Sequence, residues 1–100
     1  MLVHTSHTVG TTATLILTLP KAAGYTQVDI MNRDNQHIAV GDSDITALSG
    51  ANGGSQVDAG HSIQLWLSGG SKLYAISAGG TGAGAVAVMY SYIPKDYPTD

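Results

Sequence analysis

"KLYAISAGGTGAGAVAVMYSYI", residues 72–93, places four glycines within six positions between two apolar runs. A phosphate-binding glycine loop needs a strand before it and a helix after it, because the free N–H groups of the helix N-terminus hold the anion. Here the glycines lead into "AVAVMYSYI", which alternates and is rich in Val and Tyr. No Lys-Ser or Lys-Thr pair follows, and no acidic ribose partner stands at the right distance. The segment is a bend made by hairpin or close-packing glycines, which adopt positive φ at no steric cost. Its flanks, 72–77 and 84–93, are the last two strands.

The same alternation runs outward along the chain, and no helical periodicity competes with it. Residues 2–9 form a polar, Thr-rich first strand. In 13–19, "ATLILTL", Ala13, Leu15, Leu17 and Leu19 share a face against Thr14 and Thr18, and Pro20 stops the run. Residues 27–32 turn Val28 and Ile30 inward and Asp29 outward, and "RDNQ" is a turn. Residues 37–41 turn Ile38 and Val40 inward. The polar stretch 42–60 holds at most one short strand, around 45–48. Residues 61–67 alternate Ile63, Leu65 and Leu67 against Gln64 and Trp66, and Gly69-Gly70 is a turn. Short strands about every ten residues predict an all-β fold, a single β-sandwich (jelly-roll-like or a small barrel) of about seven to eight short antiparallel strands. Three regions are expected: an N-terminal arm or first edge strand over 1–12, the sandwich over 13–93, and an extended tail over 94–100, where two prolines disfavour strand and helix.

Composition narrows the function. Charged residues make up 11% of the 100-residue chain, and Glu, Phe and Cys are absent. A surface so poor in charge suits a chain that hides area in an assembly, or a neutral domain solvated by Ser, Thr and Gly. The formal charge of −3, with Lys21, Arg33, Lys72 and Lys95 scattered singly, argues against nucleic acid. Without cysteine there is no disulfide, thiolate nucleophile or Cys-type zinc site. "MLVHTSHTVG" lacks the features of a signal peptide, and no apolar run is long enough to span a bilayer, so synthesis in the cytoplasm and no membrane partner are expected.

The candidate chemistry is sparse. His4, His7, His37 and His61 are the metal or catalytic suspects, but His4 and His7, three apart on a strand, point to opposite faces. Asp42 and Asp44 in "GDSD" offer carboxylates to calcium, yet Asx-turn roles suit them as well. No nucleophile elbow and no marked carboxylate pair stands out. Hence no enzyme, cofactor or metal is expected. Trp66 alternates away from its apolar neighbours, and Tyr90 and Tyr92 share a face with Val86 and Val88. Trp66 is therefore core or subunit interface, a partner contact, or a saccharide platform.

Residues 25–93 also carry an ordered set of short motifs. A strand ends in Asn32; then come Val40-Gly41-Asp42-Ser43, Ile45-Thr46, the turn Ala59-Gly60, "LYAISA" over 73–78, Gly80-Thr81 and a last Val-rich strand. This order resembles small β-sandwich virion structural proteins of tailed bacteriophages. The segment 46–60 is longer than the link in that pattern, and both chain ends lie outside it. The resemblance implies a non-enzymatic virion component. Its first form is a capsid decoration protein on the outside of the head shell, a homo-oligomer (a trimer by preference) partnered by the major capsid protein. The alternative is a tail- or fibre-associated module that binds a protein or a host-surface saccharide. The residues expected to bind the partner are Leu2, Val3 and His4 of the arm, Trp66, and Tyr97 and Pro98 of the tail, because chain ends often order on a partner.

Overall fold

A computed structural model describes residues 2–43, 45 and 55–92. Asp44, Tyr97 and Pro98 with the rest of the tail, and most of the strand expected at 45–48 lie outside the described residues.

Among the described residues eight strands form two antiparallel sheets. They are β1 (Leu2–His7), β2 (Thr14–Thr18), β3 (Thr26–Asn32), β4 (Ile38–Gly41), β5 (Ser55–Val57), β6 (Ser62–Leu67), β7 (Lys72–Ser77) and β8 (Val86–Ser91), with one 3-10 turn at Lys21–Ala23. The orders β1-β8-β3-β6 and β2-β7-β4-β5 pair first with last and work inward, which is the wiring of a jelly roll.

Alternation decides which side chains meet between the sheets. In the first sheet, Val3, Tyr90, Val28 and Leu65 stand in one inward row, and Thr5, Val88, Ile30 and Ile63 in the next. Leu17, Leu73, Ala75, Val40, Ile38 and Val57 answer them from the second sheet. Val28, Ile30, Ile38, Val86 and Val88 are fully buried, and burying each such side chain contributes about 1.5–3 kcal/mol. The second sheet also buries part of its outer face, where Ile45 and Ala13 pack on Ala39, Ile76 and Tyr74.

Asn32 ends β3 with no exposed surface. Its Nδ2 donates to the carbonyls of Gln36 (2.7 Å) and Val57 (3.1 Å), and its Oδ1 accepts from the Asp34 N–H (3.0 Å). The side chain thus ties the end of a first-sheet strand to β5 of the second sheet and closes the turn into β4.

Two expectations need correction. Leu15 does not share the inward face with Leu17: the β2–β7 register shifts between them, so Ile16 and Leu17 are both buried while Leu15 is exposed. A bulge adds one residue and so flips every side chain before it. Ile45, the one described residue of the short strand expected at 45–48, is buried and outside any strand, and β5 lies at Ser55–Val57. The glycine bend is no hairpin either. β7 and β8 belong to different sheets, so residues 78–85 cross the end of the sandwich. Gly80 and Gly84 have positive φ there, and the Thr81 N–H and Oγ1 bond the backbone of Val9, while the Gly82 N–H donates to Asp34 Oδ2.

Candidate binding face

The outward rows of the first sheet hold the feature most suited to binding. Strand pairing sets His4, Met89, Asp29 and Gln64 side by side, with Ser6, Ala87, Met31 and Ser62 in the row on one side. On the other side Leu2 pairs Ser91 and Gln27 pairs Trp66. Apart from Asp29 and a titratable imidazole at His4, these positions are uncharged. Leu2, Met31, Trp66 and Met89 are all exposed.

Trp66, 55% exposed, stacks on Tyr25, 70% exposed, with ring centroids 5.3 Å apart and planes 19° from parallel. Tyr25 comes just before β3, the strand that pairs with β6, and the β3–β6 register brings its ring to Trp66. The sequence reading missed Tyr25 because strand alternation says nothing about residues outside strands. Tyr90 lies on the buried inner face with Val86 and Val88, as its phase predicts, and stacks on Tyr92 at 6.0 Å. Burial raises the Tyr90 phenol above its ordinary pKa, with the Tyr92 charge adding to it.

Leu2, Val3 and His4 lie together in β1, a strand at the edge of the first sheet. Trp66 is in β6, at the opposite edge. Leu2 and Trp66 nevertheless border one open groove of about 600 Å³, which also includes Gln27, Asp29, Met89 and Ser91. The Gln27 amide donates to Gln64 Oε1 at 3.1 Å. Asp29 Oδ1 is covered and has no hydrogen-bond partner.

The histidines do not converge. His4 and His7 face opposite sides of β1, and His7, whose ring bonds Thr5 Oγ1, has its pKa lowered by partial burial. His37 Nδ1 lies 3.1 Å from Asp58 Oδ1, which also accepts from Gln56; these bonds, Gln56 first, hold the exposed Asp58 carboxyl below its ordinary pKa. Among the described residues no three His or Asp side chains gather where they could hold a metal ion. Asp42 is exposed, with its backbone carbonyl accepting from the Ile45 N–H.

What fold and face define together is a small jelly-roll sandwich with one broad, nearly uncharged sheet face. No family model matches the chain, and neither a curated protein nor a solved structure matches it.

Proposed function

We propose that this chain is a non-enzymatic bacteriophage virion protein that decorates the outside of the head shell and holds on through the β1 edge. The observation that carries the reading is the nature of that edge. β1 is a regular six-residue edge strand, Leu2–His7, without Lys, Arg, Asp, Glu, Gly or Pro. Natural sheets guard such edges with charge, proline, bulges or shortness, because an open edge recruits another strand. In the second sheet β2 is guarded in this way, because it carries a bulge. Among the described residues no strand covers the β1 edge, which suits a chain built to join others, and the motif order over residues 25–93 supplies the virion context.

In this role the work is mechanical. Copies, as trimers, straddle the seams between subunits of the major capsid protein and add contact area there. Because such seams exist only in the assembled shell, binding shifts the equilibrium toward it by mass action. The purified protein is expected to cosediment with capsids that lack it. His4→Lys with Ser6→Lys, both at exposed positions of β1, is expected to leave the protein folded and in the supernatant. A wild-type protein that stays in the supernatant, or a lysine variant that sediments equally well, overturns the role. A light-scattering mass of one chain would remove the trimer.

A second reading, a tail- or fibre-associated module, is favoured by one observation: Trp66 is exposed and borders a groove with polar side chains.

A further inference from the structure

We propose that the groove beside Tyr25 and Trp66 binds a neutral pyranose oligosaccharide, whichever part of a virion the chain occupies. Three features point to this ligand class. The first is the exposed Tyr25–Trp66 stack, a rigid aromatic surface against which the C–H face of a pyranose ring can lie. The second is the polar set around it. Gln27, Ser91 and the Asp29 carboxylate border the same groove, and Gln64 is bonded to Gln27. An ionised carboxylate accepts hydrogen bonds only, and its two oxygens match two adjacent sugar hydroxyls. Asp29 Oδ1 lacks a donor, a costly condition for a covered acceptor that an incoming hydroxyl relieves. The unbranched Met89 side chain, paired across from Asp29 in the strand register, is flexible enough to give way.

The third feature is charge and backbone. Among the described residues the groove includes no Lys, Arg or His, and its one carboxylate, Asp29, repels anionic sugars. It lies over β8 and β3, central strands that already pair on both sides. An extended peptide therefore finds no free ladder there, whereas a hydroxyl-rich ring needs none. The groove volume, about 600 Å³, is in the range that holds small ligands.

Trp66 is the chain's only tryptophan, so its emission reports on this groove alone. The full chain is titrated with gluco-, manno- and galacto-configured neutral oligosaccharides and with sialyllactose. At least one neutral ligand is expected to shift the emission, and sialyllactose is expected to leave it unchanged. For that ligand, Asp29→Asn is expected to weaken binding about 10-fold, the loss of one charge-assisted hydrogen bond. By ligand-observed NMR, Trp66→Ala loses binding and Met31→Ala, on the same face but outside the groove, keeps it. No response to any neutral ligand, a response to sialyllactose alone, or binding retained by Trp66→Ala overturns the proposal. So does an emission change produced by capsids and by none of the sugars, which would make the groove a protein contact.

Discussion

Asn32→Asp is expected to destabilise the protein by about 3–5 kcal/mol, a large part of the roughly 5–15 kcal/mol that holds a domain of this size folded. The substitution keeps the shape of the side chain and changes two things. The Nδ2 donor that serves the Gln36 and Val57 carbonyls disappears, and an acceptor-only carboxylate faces those same oxygens. Asn32 is fully buried, so water does not replace the lost donor and the new charge is poorly solvated. Thermal unfolding followed by circular dichroism should show a midpoint lower by on the order of 20 °C. Asn35→Asp, at an exposed position of the adjoining turn, should stay within about 0.5 kcal/mol of wild type. Equal midpoints for the two variants would mean that the Asn32 clamp does not hold the sheets together.

Gly69→Ala ranks second. A Cβ at this position would lie 2.5 Å from the Lys21 carbonyl oxygen and 2.9 Å from that of Pro20. These are backbone atoms and cannot swing aside as a side chain does. Nor can the two segments separate freely. The Leu19 N–H donates to the Ser71 carbonyl and the Gly70 N–H to the Leu19 carbonyl, both at 2.8 Å. Relieving the overlap breaks that pair, at an expected cost of about 3 kcal/mol. Gly60 provides the contrast: its φ of +77° disfavours a side chain, but nothing lies within 4 Å of the added carbon. Gly60→Ala should cost about 1–2 kcal/mol, the strain of a left-handed residue. Urea midpoints separate the two, and a larger loss for Gly60→Ala would contradict the close approach at Gly69.

Where period-two alternation was unbroken, the sequence could be read directly. Ile63, Leu65 and Leu67 face inward and Trp66 outward because β6 is regular, and Val28, Asp29 and Ile30 follow the same rule in β3. Alternation failed at Leu15, because no Gly or Pro marks the bulge and the β2–β7 pairing alone creates it. The glycines at 79–84 announce a bend in the sequence, and a bend is what they form. That the bend passes between sheets is set by strand pairings far apart in sequence, which no local pattern contains. Half of the candidate face was legible for the same reason. Trp66 stood out by its phase, whereas Tyr25 reaches it only through the β3–β6 register. In the sequence Asn32 is only the end of a strand, and its buried bonds to β5 and the turn into β4 give that position a physical reason.

Quantitative mass spectrometry of purified virions, scaling this chain against the major capsid protein, tests the decoration role most directly. A copy number of the same order as the capsid subunits is the predicted result. A count limited to the few copies of a tail or fibre component, or no chain in the particle at all, would contradict it.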